Sequence, residues 1–167
     1  TLCENGYSLT TPPFLMNREA YEGVVDLTDF EEVMYKIEDH DLYLIATSEH
    51  PITARFKNEI IELKDGPLKF AGISTNFRRE VGAHGISDRG IWRVHQFSKV
   101  EQVIICKPED SKEMHNEILK NATHIFKKLE IPFRVIDICT GDIGTVAARK
   151  FDIEAWMPSS KKWKEVV

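Results

Sequence analysis

The chain has 167 residues, 42% of them hydrophobic, which is enough for one compact core and too little for two. A formal net charge of -5 argues against this region being the main electrostatic contact for a nucleic acid. The widely spaced Cys3, Cys106 and Cys139 suggest neither a disulfide framework nor a cysteine zinc site, and no apolar run reaches membrane-spanning length, so we expect a cytoplasmic protein without a membrane span.

The first third of the chain predicts short strands and small helices. An extended segment up to Asn17 is interrupted by the pair Pro12-Pro13, which cannot donate in a strand ladder, so this segment should lie at an edge or interface. A short helix and a surface loop should follow, to about residue 40. The apolar run 43–47 then predicts a buried strand, and a helix should begin near Glu49 with Pro51 in its first turn.

The middle of the chain predicts strands at 60–63 and 68–80 and another after residue 91, with a long glycine-rich loop before it. The turn signal at 65–67 separates the first two. The loop is longer than a tight hairpin needs, so it predicts a mobile flap. Its distinctive residues are Gly82, His84, Gly85, Asp88, Arg89 and Gly90.

Charged and aromatic residues recur at even spacing on both sides of this loop. Side chains two apart share a strand face, so Arg78 and Glu80 should point one way on the first strand. The second strand should place Arg93, Phe97 and Glu101 together, with Trp92, Val94, Val100 and Ile104 on a core-facing side. Such alternation is often only a solvated face. Guanidinium groups fit phosphate oxygens and a ring stacks on a base, however, so the combination predicts a site for a nucleotide with a zwitterionic partner.

The last third predicts one long amphipathic helix followed by strands. The helix should begin after Pro108 and end before Pro132, because apolar residues recur at helical spacing between them. Strands are predicted at 133–139, 151–156 and 163–167. The strands are not separated one by one by helices, so the fold class is predicted to be α+β.

Several of these segments resemble the class II aminoacyl-tRNA synthetases and, within that class, the seryl-tRNA synthetase family. Residues 77–101, with Phe-Arg-Arg-Glu at their start and Arg-Val-His-Gln-Phe-Ser-Lys-Val-Glu at their end, are similar to motif 2. The segment 6–17 resembles motif 1, the dimer-interface segment, and 47–49 resembles the Thr-x-Glu loop that cradles the amino acid. Segments 139–142 and 151–158 are similar to later strands. The resemblance implies that residues 1–167 form a single partial catalytic domain, an antiparallel sheet flanked by helices.

The resemblance also implies an activity: ATP-dependent activation of L-serine to seryl-adenylate and its transfer to tRNA(Ser). Arg78 and Arg93 would be the catalytic residues, with Arg78 on the α-phosphate. The implied serine-binding residues are Thr47, Ser48, Glu49, Arg78 and Glu101. The implied ATP-binding residues are Arg78, Arg79, Glu80, Arg93, Val94, Phe97, Glu165, Val166 and Val167. Glu165 would bridge to ATP through Mg²⁺, a cation that prefers oxygen ligands.

Three parts of the family pattern have no counterpart in the sequence. They are motif 3, a serine-rich stretch after Glu165 and the coiled-coil arm that grips tRNA. We therefore expect a partial domain with weak or no turnover by itself, and a homodimer through the motif 1 segment.

Other interpretations remain open at this point. A prolyl- or threonyl-type synthetase shares the Thr-x-Glu and Arg-x-Glu patterns. An amino acid–carrier protein ligase uses the same fold without the arm. A non-catalytic binding or dimerisation module would explain the missing motif 3, although the retained charged and aromatic residues argue against it.

Overall fold

The computed structural model describes residues 2–81 and 92–167, without the side chains of residues 28 and 29. The predicted glycine-rich flap therefore lies outside the described residues. The chain divides into two compact units, Thr1–Cys106 and Lys107–Val167, and each is described by itself. The single partial domain stays a prediction. Within the described ranges, every helix is too short or too polar to traverse a lipid bilayer.

Among the residues of the first unit that the structure describes, five strands form two sheets. The strands are β1 (Ser8–Thr10), β2 (Leu15–Met16), β3 (Tyr43–Leu44), β4 (Leu68–Phe77) and β5 (Gln96–Ile105). The larger sheet has the order β1-β4-β5, with β1 parallel to β4 and β4 antiparallel to β5. β2 and β3 pair separately as an antiparallel ribbon. The predicted edge position of the N-terminal segment is confirmed, because β1 is an outer strand.

The described part of the first unit also contains three short α-helices: α1 (Arg18–Glu22), α2 (Leu27–Phe30) and α3 (Glu49–Ala54). The Asn17 side chain caps α1 by accepting from the Ala20 N–H at 3.0 Å. α3 begins where the sequence predicts it, with Pro51 in its first turn. A hydrophobic cluster joins the helices to the ribbon through Met16, Tyr21, Leu27, Met34, Tyr43 and Ile45.

The predicted strand at 60–63 is wrong, and the first motif 2 strand ends early. Ile60 is 97% exposed, and residues 60–63 form no strand. β4 ends at Phe77 instead of Glu80, because the backbone N–H of Arg79 donates to the Val33 carbonyl at 2.9 Å and leaves the ladder. Glu80 itself has φ +50°, a left-handed conformation that does not continue a strand.

The prediction of which sheet face is buried is also wrong. Trp92, Val94 and Val100 were expected to face the core, yet all three are exposed, and Ile104 is only half-buried. Polar residues of β4, Ser74 and Asn76, are buried on the opposite face. The reason is that α3 packs over the polar face, an arrangement that strand alternation alone does not specify.

The second unit consists of one helix and a three-stranded antiparallel sheet. Its elements are α4 (Ser111–Lys128), β6 (Phe133–Asp137), β7 (Phe151–Met157) and β8 (Lys162–Glu165), with the sheet order β6-β7-β8. Ile153 and Ala155 of β7 are buried. The helix and the three strands agree with the sequence predictions to within a few residues at each end.

Candidate functional site

One face of the β4–β5 pair carries two of the predicted site residues, Phe97 and Glu101. Residues directly opposite each other in an antiparallel pair share a face. Phe97 lies opposite Asn76, and Glu101 lies opposite Gly72. Lys99, between Phe97 and Glu101 on the same face, lies opposite Ser74. The face therefore presents a ring, a cation and a carboxylate in a row along β5.

Arg78 reaches this face although it lies beyond the end of β4. Its guanidinium carbon is 5.3 Å from the centre of the Phe97 ring, within the range of a cation–π contact. Its Nε donates to the Ala46 carbonyl at 3.2 Å, and its backbone N–H donates to the His95 carbonyl at 3.0 Å. Two backbone carbonyls therefore fix both ends of this residue, and its guanidinium group lies beside the ring.

Arg93 and Glu80 bind each other. Arg93 Nη1 donates to Glu80 Oε2 at 2.8 Å, and the Glu80 side chain is 13% exposed. Neither residue lies in a strand, so this ion pair brings them together where the predicted strand alternation does not. Both were predicted to contact ATP, and the ion pair places a guanidinium group and a carboxylate side by side.

Glu101 connects β5 to the Thr-x-Glu segment. Thr47 Oγ1 donates to Glu101 Oε2 at 2.6 Å, and Lys99 Nζ forms an ion pair with the same oxygen. Thr47 Oγ1 also accepts from the Glu49 N–H at 3.4 Å, at the start of α3. Segment 47–49 and Glu101 therefore form one hydrogen-bonded group, which brings together residues that the family resemblance assigns to serine binding.

Glu49 is the second carboxylate near this group. The residue as a whole is exposed, but the protein packed around its carboxyl group raises its pKa above the ordinary value. The negative charge of Glu101 adds to this rise, and the positive charge of Lys99 opposes it. The site thus holds two carboxylates whose charges disfavour each other, an arrangement that favours binding of a cation.

Ser48 does not fit its predicted role as a direct serine contact. The residue is completely buried, and its Oγ has no hydrogen-bond partner among the described residues. A Cβ atom added to Gly72 would lie 2.7 Å from this Oγ, so the Ser48 side chain faces the sheet. Ser48 is therefore a packing residue between α3 and β4, and we do not include it in the proposed site.

Gly72 permits this close approach, and replacing it should destabilise the protein. A Cβ atom at this position would lie 2.6 Å from Ile52 Cδ1 as well as 2.7 Å from Ser48 Oγ, and both neighbours are buried. We expect Gly72→Ala to lower the free energy of unfolding by about 1–3 kcal/mol through overpacking. Urea unfolding of the natural full-length polypeptide measures this, with Gly141→Ala as the control because a Cβ there meets nothing within 4 Å. Equal stability of the two variants would contradict the assigned role of Gly72.

His50 is a buried residue of this region that the sequence analysis did not single out. It is 6% exposed and lies edge-on to the rings of Tyr21 and Phe30, at centroid distances of 5.5 and 5.2 Å. Burial, followed by the positive charge of Lys99, lowers the pKa of His50 to about 4. His50 is therefore neutral at physiological pH. In the sequence, the only indication of this role was the position of His50 directly after Glu49, on the side of α3 that faces the protein interior.

The buried neutral His50 should make the protein less stable in acid. An unfolded histidine has a pKa of about 6.5, so stability from the neutral form is complete above that pH and is lost as pH falls through the folded value of about 4. We expect the wild type to lose about 2–3 kcal/mol more than His50→Gln between pH 7 and pH 4. Urea unfolding at several pH values measures this, with the exposed His124→Gln as control. Parallel pH profiles of wild type and His50→Gln would contradict it.

Three further residues that were predicted to bind ATP, Glu165, Val166 and Val167, lie at the C-terminal end of the second unit. Glu165 is the last residue of β8 and lies opposite Glu154. Val166 N–H donates to the Ile153 carbonyl at 2.8 Å, and Val167 accepts from the Ile153 N–H at 2.9 Å. Glu154 is bound by Arg134 Nε at 2.5 Å, whereas the Glu165 side chain is exposed. The backbone thus holds 166 and 167, and the assignment of 165–167 to ATP stays a prediction.

Comparison with known proteins places the chain among the synthetases. The family described as "tRNA synthetase class II core domain (G, H, P, S and T)" matches residues 32–167. A relative from Methanocella arvoryzae named serine–tRNA ligase is 61% identical over 166 residues, which cover 99% of this chain and 39% of the relative. The chain therefore spans about two fifths of the length of that relative.

Solved structures agree with the sequence comparison. The crystal structure of seryl-tRNA synthetase from Pyrococcus horikoshii complexed with ATP aligns with a TM-score of 0.94 and 52% identity, over 99% of this chain and 37% of that chain. The cytoplasmic serine–tRNA ligase from Naegleria fowleri in complex with AMP aligns with a TM-score of 0.90 and 41% identity, over 99% and 40% of the two chains. The predicted α+β class II synthetase fold and the resemblance to seryl-tRNA synthetases are confirmed. The chain belongs to the family of class II tRNA synthetase core domains.

Proposed function

We propose that these residues belong to a serine–tRNA ligase, which joins L-serine to ATP as seryl-adenylate and then transfers the seryl group to tRNA(Ser). The main observation in support of this proposal is the row of side chains along one face of β5. The Phe97 ring with Arg78 above it and the Glu101 carboxylate with Thr47 lie on one face of the sheet. The relative named serine–tRNA ligase, which is 61% identical, supports serine over the prolyl, threonyl and carrier-protein alternatives.

The carboxylate end of the row would bind serine. Glu101 can accept hydrogen bonds from both the ammonium group and the hydroxyl group of the amino acid, and Thr47 orients its carboxylate by donating to Oε2 at 2.6 Å. Glu49, whose pKa is raised, would supply a second acceptor. Arg78 would contact the serine carboxylate from the opposite side.

The aromatic end of the row would bind ATP. Phe97 offers a ring for the adenine base, and Glu80 can accept from the adenine amino group. The family resemblance also assigns Val94 and Arg79 to ATP binding. Arg93, 2.8 Å from Glu80, would contact phosphate oxygens with its remaining donors. The family resemblance also assigns Val166 and Val167 to ATP binding.

The chemistry needs positioning and charge neutralisation more than acid–base catalysis. A serine carboxylate oxygen attacks the α-phosphorus, the bond from that phosphorus to the bridging oxygen breaks, and pyrophosphate leaves. Negative charge develops on the α-phosphate oxygens during this step, and Arg78 would stabilise it. In the second step a terminal ribose hydroxyl of the tRNA attacks the seryl carbonyl, and AMP leaves.

A magnesium ion fits the residues available for it. The described residues contain no group of three or more candidate metal ligands. Mg²⁺ commonly binds through one or two carboxylates together with substrate phosphates, and the exposed Glu165 carboxylate offers one such oxygen ligand. The bound ion would neutralise phosphate charge and orient the triphosphate.

We also propose a homodimer in the cytoplasm that binds tRNA(Ser) outside this acidic region. The motif 1 segment supports the dimer because three of its large apolar side chains are exposed. These are Leu9, Phe14 and Leu15. Burial of such side chains against a second copy would stabilise association.

Serine-dependent pyrophosphate exchange tests the proposed function. The natural full-length polypeptide should exchange pyrophosphate into ATP with serine, and far more slowly with threonine, alanine or proline. A thermal shift caused by a non-hydrolysable seryl-adenylate analogue should accompany this activity. Equal exchange with another amino acid would reassign the substrate. An absence of both exchange and analogue binding would favour a non-catalytic module.

A further inference from the structure

Lys99 is a charged residue at the centre of the site that the proposed function does not use. It lies two residues from Phe97 and two from Glu101 on the same face of β5, so about 7 Å of strand separates it from each. Its ammonium group forms an ion pair with Glu101 Oε2, the oxygen that also accepts from Thr47. Lys99 therefore lies between the residue proposed to bind adenine and the residue proposed to bind serine.

This ion pair is partly withdrawn from solvent. The side chains of Lys99 and Glu101 are 34% and 22% exposed. Lys64 and Glu62 form a pair with the same two-residue spacing, but their side chains are 78% and 68% exposed. Charges that are less solvated interact more strongly, so the Lys99–Glu101 pair has the larger influence on its surroundings.

The ammonium of Lys99 and the α-ammonium of an amino acid are chemically equivalent partners for Glu101. Each carries one positive charge and three N–H donors. Glu101 and Glu49 disfavour each other's charge, and the positive charge of Lys99 offsets this effect. A second ammonium arriving at Glu101 would be repelled by the positive charge of Lys99, and displacement of the lysine ammonium would relieve this repulsion.

We propose that Lys99 is a placeholder cation, which binds Glu101 in the empty site, is displaced by the α-ammonium of serine, and then neutralises the α-phosphate of ATP. The inference rests on the proposed function. The long, flexible lysine side chain can make this move without a change in the backbone. The displaced ammonium would lie between the adenine and serine ends of the row, where the reacting phosphate must be, and there it would act together with Arg78.

The substitution Lys99→Met in the natural full-length polypeptide separates the two halves of this proposal. Serine titrated calorimetrically without ATP should bind about two- to fivefold more tightly, because no ion pair has to be broken. The kcat of serine-dependent pyrophosphate exchange should nevertheless fall by about 10- to 100-fold, because a cation is missing from the transition state. Tighter binding combined with slower turnover is the expected signature.

Two further variants complete the experiment. Lys99→Gln, also neutral, should reproduce both effects and is used if the methionine variant does not fold. Lys64→Met removes the matched exposed pair and should change neither quantity. Weaker serine binding in both neutral variants would show that Lys99 only holds Glu101 in place, and unchanged exchange would remove its role at the phosphate; either result overturns the proposal. A wild type that neither binds nor activates serine would overturn the proposed function itself, and this inference with it.

Discussion

Replacing Arg78 by lysine should reduce the kcat of serine-dependent pyrophosphate exchange by about 10²- to 10³-fold. The Arg78 Nε donates to the Ala46 carbonyl at 3.2 Å, and the guanidinium carbon lies 5.3 Å from the centre of the Phe97 ring. A planar fork can bind a phosphate oxygen and a carboxylate oxygen together, whereas a lysine ammonium acts as a point charge. The loss should therefore appear mainly in the chemical step.

The control for this substitution is Arg55→Lys. Arg55 also lies over an aromatic ring, that of Phe56 at 5.6 Å, but it caps the C-terminal end of α3 and is not part of the site. Both variants keep a cation that can lie near the ring, but only Arg78→Lys loses the Nε hydrogen bond to the Ala46 carbonyl, so its thermal stability should fall slightly more. If Arg55→Lys slowed exchange as much as Arg78→Lys, general destabilisation would explain the result and the role assigned to Arg78 would be wrong.

Local patterns in the sequence predicted most of the framework of the site. The start of α3 followed from the buried run before Glu49 and from Pro51, because both signals are local to the chain. The even spacing of Phe97 and Glu101 correctly placed them on one face of β5, since a strand has a fixed period of two. The prediction that Thr47 lies near the serine end came from the family resemblance, and its hydrogen bond to Glu101 joins segments 54 residues apart.

The features of the site that could not be predicted from local sequence patterns depend on tertiary contacts. The choice of buried face depends on α3 packing over Gly72, a long-range contact that the alternation of β4 and β5 does not encode. The positions of Arg78 and Arg93 beyond the strands result from individual hydrogen bonds and an ion pair. Ser48 has the same polar character as its neighbour Thr47, so composition alone could not reveal that one is a packing residue and the other contacts Glu101.

Glu101 offers the second large effect, because serine recognition depends on its charge and its hydrogen bonds. Glu101→Ala should lower kcat/KM for serine by about 10³-fold, since the substrate hydroxyl and ammonium lose their acceptor. The variant also leaves the Thr47 hydroxyl and Lys99 without the carboxylate that now binds both. The preference for serine over alanine should decrease at the same time, because Glu101 no longer forms a hydrogen bond with the substrate hydroxyl.

The isosteric variant Glu101→Gln distinguishes charge from shape. A glutamine carbonyl can still accept from Thr47 and from the substrate hydroxyl, but it does not neutralise an ammonium group. We therefore expect Glu101→Gln to retain most of the preference for serine over alanine while its KM for both amino acids rises. Glu62→Gln, which disrupts the exposed pair with Lys64, is the control and should behave as the wild type. A Glu101→Ala variant that still rejects alanine would show that another group reads the hydroxyl, and the serine end of the row would then have to be reassigned.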